Sequence, residues 1–281
     1  MSYRVGKYKL PPYSVLMSVY DKELPENLNE SLESMLMQSY PPADFVLVCD
    51  GKLTCELNII AKSFENEFKN IFHIVRIDEN VGAGKAFNMG IQACRYEYIV
   101  KMDSDDISEP DRCLKQMTLF AIKPKLDMVG TYVEEFDNDS GETVAIRKVP
   151  IMQNEIVDYS KRRNPFNRQS VAFRRSTAIQ AGGYSDLERC EDYEFVDRML
   201  AKGAMAQNIP EVLVKYRIDK NTPEIRKSWK RTKGFIKVRW VIHRSGYTGF
   251  RDFFVPCAIQ LGLFIFPRRF TRWVYEKFLR G

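Results

Sequence analysis

The residues best suited to chemistry are three carboxylates within four positions, Asp103-Ser-Asp-Asp106. They directly follow the apolar run Glu97–Met102, which predicts that they emerge from the end of a buried strand. Carboxylates this close repel one another unless a cation lies between them, and Mg²⁺ takes oxygen ligands while leaving positions for phosphate oxygens. The tetrapeptide therefore predicts a divalent-cation site for a phosphate-bearing substrate. A solvated acidic turn, with Ser108 as the N-cap of the next helix, is the alternative.

Two further segments could contact a nucleotide. Asp50 ends the apolar run Phe45–Asp50 and could accept hydrogen bonds from a nucleobase or a ribose, although an aspartate before Gly51 is also typical of a plain turn. Asn80-Val-Gly-Ala-Gly-Lys85 opens a helix with two glycines and a lysine, which favours phosphate at the helix N-terminus. This loop matches neither a P-loop nor a dinucleotide fingerprint, and the spacing after the first strand does not fit a dehydrogenase.

A second acidic group, Glu191-Asp192, precedes an apolar helical pattern over residues 193–200. Acids at a helix start complement the macrodipole, so a structural role is one interpretation. The other is that one of them is a general base beside the metal site. Gly182-Gly-Tyr184, just upstream, could form a tight turn that lets a substrate approach closely.

The elements that must position these residues alternate between short apolar runs and helical patterns, which predicts an α/β doubly wound fold. Ligands of such sheets lie at the carboxyl ends of the strands, where the acidic tetrapeptide, Tyr20 and Asp50 would meet. The predicted strands are Ser14–Tyr20, Phe45–Asp50, Phe72–Ile77, Glu97–Met102, Asp127–Phe136, Glu142–Val149, Val171–Phe173 and Val212–Arg217. The predicted helices are Leu28–Gln38, Cys55–Phe68, Ala83–Cys94, Asp111–Phe120, Asn154–Arg163, Thr177–Ala181 and Glu191–Lys202.

Composition excludes several classes of protein. The 281-residue chain is 44% hydrophobic and 28% charged, which is typical of globular proteins and not of disordered or low-complexity chains. Six cysteines without a CxxC pair and only two histidines provide neither a disulfide scaffold nor a Cys/His zinc site. Reduced thiols in a cytosolic protein are therefore expected. The first residues, Met-Ser-Tyr-Arg, lack the apolar run of a secretory signal.

Charge is concentrated at the C-terminal end. Residues 226–281 carry 14 Lys/Arg and two acids, a net charge of +12, whereas the rest of the chain has a net charge of −6. Such a tail predicts an anionic partner. The apolar run Phe253–Phe266 is shorter than the roughly 20 residues of a spanning helix and contains Pro256, so association with a membrane surface is predicted, with a packed core helix as the alternative. The tryptophans suited to the headgroup level are Trp229, Trp240 and Trp273.

Taken in order, several motifs resemble glycosyltransferase family 2, whose members have the GT-A fold, a doubly wound, mixed but mainly parallel sheet. The nearer likeness is to bacterial exopolysaccharide glycosyltransferases of the amylovoran-biosynthesis type. The resemblance implies a nucleotide-sugar donor, a divalent cation (Mg²⁺ or Mn²⁺) and inversion at the anomeric carbon. The motifs that carry it, over residues 13–245, are SVLMSVY, VLVCDG, NVGAGKAFNMGI, KMDSDD, RNPFN, AGGY, CEDYEF and VLVKYR.

The resemblance also implies roles for individual residues. Asp192 matches the catalytic base, with Glu191 beside it. Asp219 stands where some members supply a histidine to the metal, and Arg168 stands where close relatives often have histidine. The donor-binding residues are Val19, Tyr20 and Asp50 for the nucleoside and Asp103 and Asp105 as the DxD pair, to which the glycine loop adds Asn80 and Lys85; the metal ligands are Asp105 and Asp106.

The sequence thus predicts a GT-A catalytic domain over 1–222, with a nucleotide-binding half 1–110 and an acceptor half 111–222, followed by basic amphipathic membrane-associating helices over 223–281. The predicted function is inverting transfer from a UDP-sugar to a hydroxyl of a growing, lipid-linked bacterial surface polysaccharide, at the inner face of the cytoplasmic membrane. One rival is a metal-dependent nucleotidyltransferase, which would release pyrophosphate. The other is a non-catalytic protein that binds a membrane surface or nucleic acid, of which nucleic acid is not expected because the basic residues are confined to one end.

Overall fold

The computed structural model describes residues 3–187, 190–218 and 229–265. The strands are β1 Arg4–Val5, β2 Tyr8–Lys9, β3 Tyr13–Val19, β4 Asp44–Asp50, β5 Phe72–Ile77, β6 Tyr98–Asp103, β7 Ile107–Ser108, β8 Met128–Asp137, β9 Thr143–Arg147, β10 Ala172–Arg174 and β11 Ala206–Ile218. The helices are α1 Pro25–Leu36, α2 Cys55–Glu67, α3 Ala83–Ala93, α4 Arg112–Ile122, α5 Gln153–Ser160, α6 Arg175–Ala181, α7 Glu191–Ala201, α8 Trp229–Arg244 and α9 Phe250–Ile265, and Arg168–Ser170 forms a 3₁₀ turn.

A mixed sheet forms the centre of the protein, with the strand order β5-β4-β3-β6-β10-β8-β11-β7 and with β9 on β8. Strands β3, β4, β5 and β6 run parallel, so their carboxyl ends meet at one edge of the sheet. In register, Ser18 lies opposite Asp103. Strand β10 is antiparallel to both β6 and β8, and β11 is parallel to β8, so the end of β11 reaches the same edge.

Burial alternates along the central strands because successive side chains point to opposite faces. In β3, Val15 and Met17 belong to a core built with α1, α2 and α4, whereas Leu16 belongs to a second core built with α3, α6 and α7. Because helices cover both faces, β3 and β4 are buried along nearly their whole length, and most of their residues are apolar. The predicted α/β fold, a mixed sheet between layers of helices, is confirmed.

Helix α3 approaches the sheet closely at Gly90. A Cβ atom at this position would lie 2.2 Å from Leu16 Cδ1 and 2.9 Å from Val48 Cγ2. Only glycine therefore permits this spacing between helix and sheet, since overpacking a dense core forces side chains or backbone to shift. The close packing holds the N-terminus of α3, and the glycine loop before it, against the carboxyl end of β4.

The prediction that Ser108 is a helix N-cap is wrong. Ser108 lies in β7, opposite Val214 of β11, and Asp111 occupies the N-cap of α4. The Ser108 hydroxyl accepts a hydrogen bond from Gln38 Nε2 at 3.2 Å. This hydroxyl therefore bonds to a residue distant in the sequence and not to the backbone at the start of α4.

Among the element boundaries that differ from the prediction, two lie at contacts with distant parts of the chain. Strand β11 begins at Ala206 rather than at Val212, because Pro210 is accommodated where the register with β8 shifts. Helix α5 ends at Ser160, earlier than the predicted Arg163, and the Ser160 carbonyl accepts a hydrogen bond from a hydroxyl of α7 at 2.7 Å. In both cases a tertiary contact sets the boundary.

Helices α8 and α9 form a C-terminal hairpin that Arg239 joins to the body of the protein. Arg239 is fully buried and donates hydrogen bonds to the hydroxyl of Tyr193 in α7 and to the carbonyl of Lys161. It also donates to the carbonyl of Asp252 in α9 at 2.5 Å. Apolar residues of α8 pack on the same tyrosine. The hairpin therefore shares a buried polar joint with the helix that begins at Glu191.

None of the described helices is both long and apolar enough to cross a membrane. Helix α9 covers most of the predicted apolar run and contains Pro256. Asp219, Trp273 and the other residues of 219–228 and 266–281 lie outside the described residues.

Candidate active site

The acidic tetrapeptide at the end of β6 and the acidic pair at the start of α7 meet through one buried lysine. Lys101 Nζ lies 2.6 Å from Asp103 Oδ1 and 3.7 Å from Asp192 Oδ1. Its ammonium also lies 4.5 Å from the centre of the Phe87 ring. Burial lowers the pKa of Lys101, but Asp103 and Asp192 outweigh it and raise the pKa, so the lysine stays charged. The sequence analysis missed Lys101, although a lysine inside an apolar strand indicates a carboxylate partner.

Arg168 is the second cation of the site. Its Nε lies 3.3 Å from Asp103 Oδ2, and Asp103, followed by Asp192, raises the pKa of Arg168 well above its usual value. Burial would raise the pKa of Asp103, but Lys101 and Arg168 lower it to about 2. Asp103 is therefore an ionised link between two cations. The resemblance predicted only that acceptor contacts at Arg168 differ from those of relatives with histidine there, and the contact with Asp103 was not predicted.

The predicted metal ligands lie together with Asp103. The carboxylates of Asp103, Asp105 and Asp106 offer oxygens that are all within 4.8 Å of one another. Burial, followed by the charges of Asp103 and Glu23, raises the pKa of Asp105 to about 6. Burial, followed by Asp105 and Asp103, raises the pKa of Asp106 well above its usual value.

The oxygens of this cluster fit a divalent cation. Asp106 is fully buried, and its Oδ2 has no hydrogen-bond partner among the described residues. Its Oδ1 accepts the backbone N–H of Arg217 at 3.0 Å, and Arg217 Nε donates to the Asp105 carbonyl at 2.8 Å. Strand β11 therefore holds the acidic turn in place, and a cation would satisfy the remaining oxygen and relieve the repulsion. Arg217 is a further supporting residue that the sequence analysis missed.

Asp50 fastens the glycine loop to the end of β4. Its Oδ1 accepts the Val81 N–H at 2.7 Å and its Oδ2 accepts the Gly82 N–H at 3.1 Å, while Asn80 Nδ2 donates to the Asp50 carbonyl at 3.3 Å. The carboxylate is thus already engaged by the loop, which the sequence analysis did not predict. Beside it opens a pocket of about 410 Å³, lined by Asp21, Asp50, Gly51, Lys52, Asp78, Glu79 and Asn80.

The structure places the other predicted nucleoside and phosphate residues around this edge. The Val19 side chain is fully buried in the core, and Tyr20 is 43% exposed. Burial, followed by the charges of Glu23 and Asp105, raises the pKa of Tyr20. Lys85 is half-exposed, with Nζ 3.5 Å from an oxygen of Asp186.

The acidic pair lies beside the glycine loop. A Cβ atom on Gly84 would lie 3.8 Å from Glu191 Cγ, so the starts of α3 and α7 adjoin. Burial, followed by the charge of Asp192, raises the pKa of Glu191 to about 7. The Asp192 side chain is mostly buried and points to Lys101. The predicted base therefore lies near both the acidic tetrapeptide and the start of the helix that follows the glycine loop.

Comparison with known proteins matches the chain over nearly its whole length. The family described as Glycosyl transferase family 2 matches residues 14–183. An Escherichia coli protein named UDP-Gal:alpha-D-GlcNAc-diphosphoundecaprenol beta-1,3-galactosyltransferase is 32% identical over 270 residues, which are 96% of this chain and 97% of that protein. The amylovoran biosynthesis glycosyltransferase AmsE of Erwinia amylovora is 32% identical over 269 residues, which are 96% of this chain and 100% of that protein.

Solved structures show the same fold. The mannosyltransferase PcManGT from Pyrobaculum calidifontis, in complex with GDP-Man and Mn²⁺, superposes with a TM-score of 0.64 at 16% identity, over 91% of this chain and 70% of that chain. The predicted GT-A fold class and the predicted family resemblance are both confirmed.

The bonds made by Asp50 predict a local effect of substitution. In Asp50→Asn one acceptor oxygen becomes an NH₂ group that faces a backbone N–H, so we expect the free energy of unfolding to fall by about 1–3 kcal/mol. Hydrogen exchange at the Val81 and Gly82 amides should accelerate as well. Denaturant unfolding and exchange mass spectrometry measure the two effects. The exposed neighbour Asp78 supplies the control, since Asp78→Asn should change the free energy of unfolding by less than about 0.5 kcal/mol. Equal effects of the two substitutions would contradict this role.

Proposed function

The chain belongs to glycosyltransferase family 2, and we propose that it transfers a sugar from a UDP-sugar to a hydroxyl of a lipid-linked glycan in bacterial surface polysaccharide assembly, with inversion at the anomeric carbon. One observation carries this proposal: buried Lys101 holds Asp192 beside the acidic tetrapeptide at the carboxyl edge of the sheet. A carboxylate base next to a site for a cation and a diphosphate is the arrangement that direct displacement at a sugar carbon requires.

The donor is proposed to lie along the edge formed by β3, β4 and β6. The pocket beside Asp50 takes the nucleoside, with Tyr20 at its side, and the diphosphate extends toward Asp105 and Asp106. A divalent cation held by these two carboxylates would neutralise the diphosphate and make it a better leaving group. The nucleobase of the donor is proposed to be uracil. The Escherichia coli relative whose name includes UDP-Gal is 32% identical to this chain, whereas the protein whose structure contains GDP-Man is only 16% identical.

Asp192 is proposed as the general base. The acceptor hydroxyl attacks C1 of the sugar, and its proton passes to the Asp192 carboxylate. The bond between C1 and the diphosphate oxygen breaks, and the nucleoside diphosphate leaves with the bonding electrons. A single displacement of this kind inverts the configuration at C1. Glu191, whose pKa of about 7 leaves its carboxyl partly protonated at neutral pH, is suited to donating a hydrogen bond to the sugar or the acceptor.

The C-terminal hairpin is proposed to hold the enzyme on the inner face of the cytoplasmic membrane. One surface of the hairpin exposes large apolar side chains, and Phe250 and Phe254 are 67% and 57% exposed. Basic residues of the same hairpin, Lys233, Lys237, Arg244 and Arg251, complement anionic headgroups. This surface would bring the active site to a lipid-linked acceptor, such as the diphosphoundecaprenol-linked sugar in the name of the Escherichia coli relative.

The cation site predicts a loss of metal affinity. Asp105→Asn and Asp106→Asn each remove a ligand charge, so the apparent affinity for Mn²⁺ should fall by at least about tenfold in each variant. Calorimetric titration with Mn²⁺ and release of UDP from sugar nucleotides measure binding and turnover separately. Glu67→Gln, at the exposed end of α2, is the control and should bind Mn²⁺ as the wild type does. Unchanged titrations in both aspartate variants would remove the cation from the proposal, and release of pyrophosphate from a nucleoside triphosphate would support a nucleotidyltransferase.

The proposed base predicts a change in transfer without a change in donor binding. Asp192→Asn keeps the size of the side chain but cannot accept the proton, so we expect the transfer rate to fall on the order of 10²–10⁴-fold. Single-turnover assays with a labelled sugar nucleotide measure the rate, and UDP titration checks binding. Glu191→Gln should lose less. If Glu191→Gln abolishes transfer while Asp192→Asn retains it, the two roles are exchanged.

The proposed membrane surface predicts a lipid-dependent loss of binding. The double variant Phe250→Ser, Phe254→Ser should co-sediment less with phosphatidylglycerol vesicles than the wild type does. The two substitutions remove both aromatic rings from the exposed apolar surface of the hairpin. Point changes are preferred to truncation, since removing α8 would also remove Arg239. The control is Met37→Ser with Ile59→Ser, two exposed apolar residues of the body, which should bind as the wild type does. Equal binding by all three proteins, or stronger binding to neutral vesicles, would contradict the surface.

A further inference from the structure

The cations of the active site differ in what they can reach. Lys101 is enclosed, with only 2% of its side chain exposed, and its ammonium is shared between two carboxylates. Lys85 is exposed but lies beside Asp186. The Arg168 side chain is 48% exposed and borders Asp103, and the Lys101 partner of Asp103 also faces the proposed base. Arg168 is therefore the charged donor that an incoming anion can approach at the centre of the site.

The backbone that carries Arg168 is fixed on both sides. Before it, Asn167 Nδ2 donates to the Thr131 carbonyl at 2.9 Å. After it, the Ser170 hydroxyl accepts the Thr131 N–H at 3.0 Å, and the Gln169 carbonyl accepts a hydrogen bond from Nη2 of fully buried Arg112 at 3.1 Å. Arg112 Nη2 also donates to the carbonyl of Lys101, so this turn is tied to strand β6. A side chain mounted on so rigid a turn is held ready for a ligand.

The guanidinium of Arg168 is only partly engaged. Its Nε faces Asp103 Oδ2 at 3.3 Å, and among the described residues no group accepts a hydrogen bond from either of its two terminal nitrogens. A planar fork with free N–H groups matches two oxygens of a phosphate. Around Arg168, the carboxylates of the acidic tetrapeptide and of the acidic pair outnumber the side-chain cations. Without a bound cation, these carboxylates would repel a phosphate at other positions of the site.

We propose that Arg168 binds a diphosphate through its terminal nitrogens, an assignment that rests on the proposed glycosyl transfer. The position admits two sources of that diphosphate. It borders Asp103 on the donor side, which suits the diphosphate of the sugar nucleotide. Lys101 also joins Asp103 to Asp192. In an acceptor with one sugar on its diphosphate, as in the name of the Escherichia coli relative, the diphosphate lies within one sugar ring of the hydroxyl that Asp192 would deprotonate.

The test compares Arg168→Gln and Arg168→Lys with the wild type, with Mn²⁺ present throughout. Binding of UDP and of uridine is measured by calorimetry, and the KM for the acceptor is measured with a glycan on a diphospholipid and with the same glycan on a neutral alkyl chain. Lys123→Gln is the matched control, because Lys123 is an exposed cation at the opposite end of the sheet that donates to Gln207.

A donor diphosphate predicts that Arg168→Gln weakens UDP binding by about ten- to a hundredfold and leaves uridine binding unchanged, as expected for a lost charge-assisted contact. An acceptor diphosphate predicts unchanged UDP binding and a similar rise in the KM for the diphospholipid glycan only. Arg168→Lys, which keeps the charge without the fork, should lie between the wild type and Arg168→Gln in either case.

Three results would overturn the assignment. UDP and acceptor constants within twofold of the wild type would leave Arg168 as a counterion of Asp103. Equal losses for UDP and uridine would indicate general damage to the site. A wild-type protein that binds neither UDP nor a lipid-linked acceptor would overturn the proposed glycosyl transfer together with the assignment.

Discussion

Repulsion among carboxylates is the constraint on which the rest of this site depends. The acidic tetrapeptide 103–106 and the acidic pair at the start of α7 bring five negative groups to one edge of the sheet, most of them largely removed from water. Such groups are costly unless cations compensate them. The ammonium of Lys101 lies between Asp103 and Asp192 and also contacts the Phe87 ring. The lysine therefore compensates the charge and, because it is fully buried, sets where the two acidic segments stand relative to each other.

The remaining imbalance lies where a substrate would bind. Lys101 and Arg168 hold Asp103 ionised, with a pKa of about 2, whereas burial and mutual repulsion raise the pKa of Asp105 and Asp106. The tetrapeptide is thus divided between one carboxylate satisfied by protein cations and two that are not. That division suits the first aspartate to a structural role and leaves the other two carboxylates available for the proposed cation.

The sequence was informative where function depends on local pattern. Strands β3, β4 and β6 are mainly apolar, and a polar residue stands at the end of each strand or directly after it. The fold class and the edge that bears the acidic tetrapeptide could therefore be predicted. What could not be predicted depends on partners distant in the chain. Ser108 forms a hydrogen bond with Gln38 and does not cap a helix. Asp50 accepts hydrogen bonds from two backbone amides of the glycine loop. The roles of Lys101 and Arg217 depend on contacts of β6 with α7 and of the acidic turn with β11. Local periodicity in the sequence does not predict such contacts.

The C-terminal hairpin is joined to the body of the protein near the proposed base. Its basic and aromatic composition suggested an appendage, yet Arg239 is fully buried between the hairpin and the catalytic body. Arg239 donates to Tyr193, the residue after the proposed base, and to the carbonyl of Lys161, seven residues before Arg168. The joint therefore contacts both segments that carry these residues. Removing one member of such a buried polar joint leaves other groups unpaired, so the joint resists independent movement of its parts. A surface that binds lipid through α8 and α9 would therefore fix the orientation of the catalytic carboxylate relative to the membrane. Attachment and catalysis would then share one rigid frame and need no flexible tether.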